Sequence, residues 1–186
     1  MKTALAMIAL MLAAAANAGT AKLAEGSKLW IEGKSTLHAW ESTATSLDAA
    51  VSAEGQSLSE AVGKQAPVKL TLTVPVAGMK SEHSGLDKNL QKALLADKNP
   101  NIVFTMSGYK ADAKAGTIAA DGALTVAGVT KPETITAKLA QKDGRLILEG
   151  QQPLLMTDFG VKPPTAMMGT IKSDDHVIVK FHIELQ

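Results

Sequence analysis

The sequence of 186 residues contains no cysteine. Disulfide bonds, thiol nucleophiles and thiolate metal sites are therefore excluded from its chemistry. The fold must be stabilised by burial of apolar side chains alone, and the chain is long enough to form one domain with a substantial core.

The chain also has almost no excess of charge of either sign. The chain has 19 basic residues (Lys and Arg) and 18 acidic residues (Asp and Glu), for a formal net charge of +1. This balance offers no electrostatic reason to expect a nucleic acid or another strongly acidic partner.

The N-terminal segment "MKTALAMIALMLAAAANA" (1–18) has the features of a secretory signal peptide. Lys2 supplies a positive charge, an apolar run follows, and Ala16-Asn17-Ala18 is a small-residue cleavage site. A buried helix or a membrane anchor are the alternatives, but the apolar run is short for a span of ~20 residues. We expect 1–18 to be cleaved and 19–186 to form a periplasmic domain, with no membrane span in the mature chain.

Apolar residues alternate with polar ones through most of the remaining sequence, which is typical of half-buried β-strands. In "DHVIVKFHIEL" (175–185), for example, Val177, Val179, Phe181, Ile183 and Leu185 share one face. The other alternating runs are 28–35, 38–54 (with a bend or bulge near 45–48), 67–79, 101–110, 144–151 and the pair within 121–139, which flanks a Gly-Val-Thr-Lys-Pro turn.

One segment has helical spacing instead. In "SGLDKNLQKALLADKNP" (84–100), apolar residues recur at three- and four-residue intervals, Ser84 is a candidate N-cap, and Pro100 follows the end. This pattern predicts a helix over about 86–97, and 55–66 is predicted to be a loop or short helix. The fold class expected is all-β: one antiparallel, lipocalin-like barrel of about eight strands with one short helix.

The four histidines do not form a predicted metal site. His176 and His182 share a face of one strand but lie ~20 Å apart, too far for one ion. His83 is expected in a solvated turn, and His38, beside Trp40, is expected to be structural or to meet a ligand.

No nucleophile or phosphate-loop motif is present, so no catalytic residue is assigned and the protein is predicted not to be an enzyme. The only candidates for a polar site at the barrel mouth are His38, Asp158 and Ser35. They would serve a hydrolase or isomerase that acts on an apolar substrate.

Aromatic residues are scarce, at 3% of the chain. A barrel of this size either fills with side chains or leaves room for one ligand, and few large aromatics favour a cavity. The residues expected to line it and bind a ligand are the inward apolar positions of successive strands. They are Trp30, Trp40, Leu70, Leu72, Val74, Ile102, Phe104, Met106, Leu124, Val126, Ile135, Val179, Phe181 and Ile183. Met167 and Met168 are candidates for a flexible lip.

Three stretches, "LQKALLADKNPNIVFTMSGY" (90–109), "GALTVAGVTKPETITAKL" (122–139) and "MTDFGVKPPTAMMGTIKSDDHVIVKFHIEL" (156–185), resemble the YceI-like family of bacterial secreted proteins. The resemblance covers about 27–186 and departs from the family pattern at "STLHAWESTATS" (35–46). It implies a lipocalin-like barrel that binds a long isoprenoid chain, such as an isoprenoid quinone or a polyprenyl lipid.

The resulting hypothesis is an exported carrier or sequestering protein for an apolar isoprenoid-type lipid, with no covalent cofactor and no metal. The alternative is a secreted stress or interaction module whose barrel core is filled. A homodimer is left open by the sequence.

Overall fold

The structure is a computed structural model that describes residues 18–186. Residues 1–17 lie outside the described part of the chain, so the signal peptide stays a prediction. The strands are β1 (Ala18–Ala21), β2 (Lys28–Ser35), β3 (Ala39–Ala44), β4 (Asp48–Glu54), β5 (Val68–Pro75), β6 (Met79–Lys80), β7 (Asn101–Asp112), β8 (Thr117–Val126), β9 (Val129–Lys142), β10 (Arg145–Leu155), β11 (Thr165–Ala166) and β12 (Ile171–Leu185). The helices are α1 (Leu58–Gly63) and α2 (Ser84–Ala93), with 3-10 turns at Val76–Gly78, Met156–Phe159 and Met167–Gly169.

Eleven strands form one antiparallel sheet in the order β1-β4-β5-β7-β8-β9-β10-β12-β2-β3-β6, and β11 pairs with β12 beside it. The sheet is strongly curled, and links between strands that are not neighbours in this order partly close it. Pro75 leads through the turn at 76–78 directly into β6, which pairs with β3. After β1, the backbone of Lys22 exchanges hydrogen bonds with Gln186 at 2.8 and 2.9 Å. The expected antiparallel barrel class is confirmed.

The predicted count of about eight strands is too low. The run at 38–54 divides at 45–47 into β3 and β4, which pair with different neighbours. Three further strands, β1, β6 and β11, have only two to four residues, too short for a period-two pattern to be recognised.

The hairpin at 121–139 turns two residues earlier than predicted. Ala127 and Gly128 form the turn with φ values of 50° and 83°, which is the two-residue geometry that matches the twist of paired strands. Val129 to Pro132 already belong to β9 and pair with β8. The Gly-Val-Thr-Lys-Pro segment is therefore mostly strand.

The predicted count of one helix is too low, because 55–66, which is predicted to be a loop or short helix, contains α1 (58–63). Ser57 and Glu60 form a capping box: the Ser57 hydroxyl accepts from the Glu60 N–H, and the Glu60 carboxylate accepts from the Ser57 N–H at 3.1 Å. This local motif satisfies two of the free N–H groups at a helix start.

The predicted helix at 86–97 is present as α2, but it begins at Ser84 and ends at Ala93. Ser84 is not the N-cap: that position is His83, which makes no capping bond through its side chain. The helix start is held instead by Asp87, whose carboxylate accepts from the Ser81 N–H (2.8 Å) and hydroxyl (2.7 Å). Leu95 ends the helix in a left-handed conformation, with φ of 53°.

The strand registers place the connections at two ends of the barrel. The α2 end carries α2, the turns 36–38 and 127–128, the end of β10 and the segment 156–170. The α1 end carries α1, the turns 113–116 and 143–144, and the end of β12. A buried cluster lies near each end. The cluster at the α1 end includes Val51, Val62 and Leu185, and the one at the α2 end includes Phe104, Phe159 and Val161.

Candidate ligand cavity

The inward faces of the strands enclose a cavity of about 240 Å³. One water molecule needs only ~10–15 Å³ of such space, so this is far more than a packing defect. Leu146 and Leu155, at opposite ends of β10, both line the cavity. At ~3.3 Å per residue these two residues lie ~30 Å apart along the strand. Because barrel strands are tilted by ~35–45°, the cavity extends for ~20–25 Å along the barrel axis. It is long and narrow.

The lining is almost entirely hydrocarbon, and no charged side chain belongs to it among the described residues. Its polar groups are those of Gln152, Ser173, Tyr109 and the indole of Trp40. The Gln152 amide donates to the Glu133 carboxylate at 3.0 Å. Burial raises the pKa of Tyr109, so its hydroxyl is neutral. A dry, uncharged channel of this kind favours an apolar occupant over water.

Three of the aromatic rings in the wall lie flat over glycines of the neighbouring strand. A Cβ added at Gly150 would lie 2.5 Å from Cζ of Phe181, and one at Gly122 would lie 2.6 Å from Cζ of Phe104. The third pair is Gly33 and Trp40, at 2.2 Å from Cζ2. Because each ring uses the space that a glycine leaves free, it covers the wall instead of projecting across the channel. The glycines thus help to keep the interior open.

The α1 end of the cavity is covered by α1, from which Leu58 and Val62 face the channel. The helix is fixed to the wall by Tyr109 of β7, whose hydroxyl donates to the carbonyl oxygens of Ala66 (2.7 Å) and Ala61 (3.2 Å). Ala61 is fully buried beneath it.

The α2 end is covered by α2 and by the 3-10 turn 156–159. Thr157 fixes this turn by donating through its N–H (2.8 Å) and hydroxyl (2.5 Å) to Asp175 of β12. These hydrogen bonds lower the pKa of Asp175 below its ordinary value. Leu155 lines the cavity and is nevertheless 40% exposed. The mouth of the cavity is therefore at the α2 end.

Thirteen of the fourteen residues expected to line a cavity do so, as judged by their positions in the wall. The exception is Trp30, which lies on the outer face of β2. Its indole N–H donates to Glu32 at 3.1 Å, and Glu32 is paired with Lys180 at 2.7 Å. Leu29 and Ile31 are the buried, inward residues of this strand. The prediction that Trp30 faces the cavity is thus wrong, because Trp30 and Glu32 are two residues apart on the strand and share its outer face.

Two of the three polar candidates, Ser35 and His38, have local roles in the structure, and Asp158 lies in the turn 156–159. The Ser35 hydroxyl accepts from the N–H groups of Leu37 and His38 in the β2–β3 turn, and His38 Nδ1 lies 2.9 Å from the carbonyl oxygen of Ala39. His182 is on the outer face, between Glu149 (2.8 Å) and Glu184 (3.1 Å), and the hydrogen bond to Glu184 raises its pKa most strongly. Within residues 18–186, no three His, Asp or Glu side chains are grouped to hold a metal ion. None of the described helices is long and apolar enough to cross a bilayer.

Sequence reasoning missed the contributions of the two helices and of Tyr109. The capping box at 57–60 was a usable signal for α1. Nothing in the local pattern indicated that α1 and α2 would cover opposite ends of one channel, because that depends on the sheet order.

The curled antiparallel sheet with an apolar interior defines the lipocalin-like class of β-barrels. The YceI-like domain family model matches residues 24–185. The chain belongs to the YceI-like family, and the resemblance noted in the sequence is confirmed.

Two curated relatives show the extent of the sequence similarity. A UPF0312 protein of Pseudomonas aeruginosa (strain LESB58) is 36% identical over 102 residues, which cover 50% of this chain and 52% of that protein. Protein YceI of Shigella flexneri is 33% identical over 102 residues, with the same coverage. The chain thus spans about half the length of the curated relatives it matches.

Solved structures support the fold. BcnA of Burkholderia cenocepacia superposes with a TM-score of 0.68 at 20% identity, covering 85% of this chain and 95% of that one. A polyisoprenoid-binding domain of Saccharophagus degradans, implicated in plant cell wall breakdown, superposes with a TM-score of 0.66 at 13% identity, covering 89% and 97%. At these identities the likeness establishes the fold alone.

Proposed function

We propose that this protein binds an isoprenoid-type apolar lipid, an isoprenoid quinone or a polyprenyl chain, and carries or sequesters it in the periplasm without catalysing a reaction. The observation that supports this most directly is the uncharged cavity of about 240 Å³ that runs along the barrel. A filled barrel core, as the alternative interaction module requires, does not fit a cavity of this size.

Burial of the chain supplies the binding energy. Each methylene removed from water contributes ~0.8 kcal/mol, so a tail of about 40 carbons would gain about 30 kcal/mol before costs. Non-covalent affinities end near −18 to −21 kcal/mol, so ordering of the chain must offset a large part of this. A channel selective for slimness and length, with little polar detail, is expected on these grounds.

The head group is expected near the mouth. Gln152 lies three residues before the end of β10 at the α2 end, and its amide is oriented by Glu133. Among the described residues, it is the one carboxamide in the lining. A carboxamide can hydrogen-bond a carbonyl or hydroxyl head group. Such a head group is neutral, so no charge on the ligand has to be removed from water.

The ligand class is supported by the fold of the polyisoprenoid-binding domain described above. Export rests on the signal-peptide pattern at 1–18, and N-terminal sequencing of the secreted protein, expected to begin at Gly19, tests that part separately.

The decisive experiment purifies the protein and identifies lipid extracted into organic solvent by mass spectrometry. Lipid-free protein is then titrated with an isoprenoid quinone and a polyprenol. Leu124→Trp places a large ring in the channel and should abolish uptake while the fold is retained. Thr136→Trp, on the outer face of the adjacent β9, is the matched control and should bind normally. Protein that is purified empty and takes up neither lipid would exclude the proposal.

A further inference from the structure

The exposed large hydrophobic side chains of the described residues are confined to one end of the barrel. They are Leu37, Leu95, Val129, Leu155, Met167 and Met168. We infer that this α2 end is a docking surface for a lipid bilayer with anionic headgroups, on which the cavity mouth is placed against the membrane. The role of this contact in lipid exchange rests on the proposed function.

The sheet register brings these residues together from five chain segments. Leu37 is in the β2–β3 turn, which is tied to the start of β12 by the Thr36 N–H donating to the Lys172 carbonyl at 2.9 Å. Met167 and Met168 immediately precede that start. Val129 begins β9 and its side chain lies beside Gly160, 3.7 Å from the position of a Cβ there.

The same end holds the mouth of the channel. Leu155 belongs both to the cavity lining and to the exposed apolar set. A lipid could therefore pass from the docked surface into the channel without its chain crossing water. Met168 is fully exposed, and Met167 is 72% exposed. Both have positive φ, at 55° and 50°, so the backbone presents the two thioethers outward on a tight bend.

The α1 end of the same barrel provides a comparison. Its turns read "AEGS" (24–27), "DAKAG" (112–116) and "KDGR" (142–145). Among the described residues it exposes no large hydrophobic side chain. The exposure of large apolar side chains is therefore a feature of the α2 end and not of the barrel surface in general.

Lysines border the exposed apolar side chains of the α2 end. Exposed lysines flank the apolar residues: Lys34 near Leu37, Lys98 near Leu95, Lys131 beside Val129, and Lys162 and Lys172 on either side of the methionines. None of these five makes an ion pair within the described residues. The same end also carries carboxylates, among them the exposed Asp97, Asp158 and Asp174, so the positive charge is local to the lysines that border the apolar side chains. Apolar side chains bordered by lysines are typical of surfaces that insert at the headgroup level.

Vesicle sedimentation tests the inference. The lipid-free protein is mixed with phosphatidylcholine vesicles with and without phosphatidylglycerol. The unmodified protein should bind the anionic vesicles, and the double variant Met167→Ser, Met168→Ser should bind them at least about tenfold more weakly. The pair Lys162→Gln, Lys172→Gln should weaken binding at low salt, whereas Lys110→Gln, Lys114→Gln at the α1 end should not.

Two measurements distinguish membrane docking from binding of lipid in the cavity. The methionine variant should still take up lipid delivered from detergent, and Leu124→Trp should still bind vesicles. Failure of the unmodified protein to bind anionic vesicles, or equal binding by the methionine variant, would overturn the inference. So would a concentration-dependent dimer that the methionine variant loses while vesicle binding is absent, since the surface would then join two copies of this chain.

Discussion

At the α1 end of the barrel, the covering helix is tied to the wall by a neutral phenol, Tyr109, that bonds two backbone carbonyls. At the α2 end, the covering segments are tied by carboxylates: the buried Asp87 holds the start of α2, and the half-buried Asp175 holds the turn at 156–159. Protonation of a carboxylate in acid weakens the hydrogen bonds that it accepts, whereas the Tyr109 phenol stays neutral from acid to neutral pH. The α1 end is thus a floor whose helix is held by a neutral group, and the α2 end, which has the mouth, is covered by segments that titratable groups hold. Local opening should follow the same division.

The largest expected effect tests how firmly the α2 end is packed. Phe159 is 3% exposed and lies among Val76, Leu94 and Phe104. Phe159→Ala should lower the free energy of unfolding by about 3 kcal/mol, the lower part of the range for such truncations, because one side of the ring already faces the cavity. Urea unfolding measures this change. A loss under about 1 kcal/mol would show that the α2 end has no packed layer beneath its charged contacts.

The wall between the two ends gives the next effect. In Gly150→Ala, the new methyl group would meet the Phe181 ring and the carbonyl oxygen of Thr136, at 2.5 and 2.8 Å. We expect a loss of about 2 kcal/mol in unfolding free energy and weaker lipid uptake, because the ring must move into the channel. Gly144→Ala, in a turn with no heavy atom within 4 Å, provides a comparison in which uptake should be unchanged. Equal uptake by both variants would argue against the flat-ring explanation of the hollow interior.

Tyr109→Phe should loosen the floor selectively. The change removes one donor from two carbonyl oxygens and should cost about 1 kcal/mol. Hydrogen exchange should accelerate in α1 and not in α2. If both helices exchange faster to the same degree, the two ends are not independent units.

The smallest expected effect is a difference between the ends in acid. The pKa of Asp175 is lowered by its hydrogen bonds from Thr157, and that of Asp87 by its hydrogen bonds from Ser81. A lowered folded-state pKa stabilises the fold above the ordinary value of 3.8, and this contribution is lost as the pH falls through the folded-state value. Exchange at 156–161 and at the start of α2 should therefore rise in acid before exchange at the end of α1, which Tyr109 holds. The first turn of α1 should respond to acid as well, because the carboxylate of its capping box, Glu60, also has a lowered pKa. Asp175→Asn should show raised exchange at 156–161 already at neutral pH. Unchanged protection there would mean that Asp175 does not hold the turn.

Much of the wall of the cavity could be predicted because alternation with period two assigns each side chain to a face. This worked for Leu70, Leu72 and Val74 on β5, where every second residue is apolar. It failed for Trp30 because the side chain was assigned to the cavity for its hydrophobicity and not for its place in the alternation. Leu29 and Ile31 define the inner face of that strand. Whether any of these residues contacts a lipid stays a prediction.

The short strands and the two ends could not be predicted in the same way. β6 has two residues and β1 has four, and their pairing depends on neighbours distant in the chain. The grouping of Leu37, Leu95 and Met168 at one end likewise follows from strand order, since the first and the last are 131 positions apart in the chain.

The sequence by itself determined that the chain is an all-β barrel with apolar inner faces, that no cysteine chemistry is available, and that a helix lies near residue 90. These properties follow from periodicity and composition, which are local. Only the tertiary structure decided that the barrel is hollow, since alternation states which side chains point inward but not how far apart opposite walls stand. That distance depends on the curl of the sheet and on which glycine lies opposite each ring. Both are set by register between strands that the chain brings together from far apart.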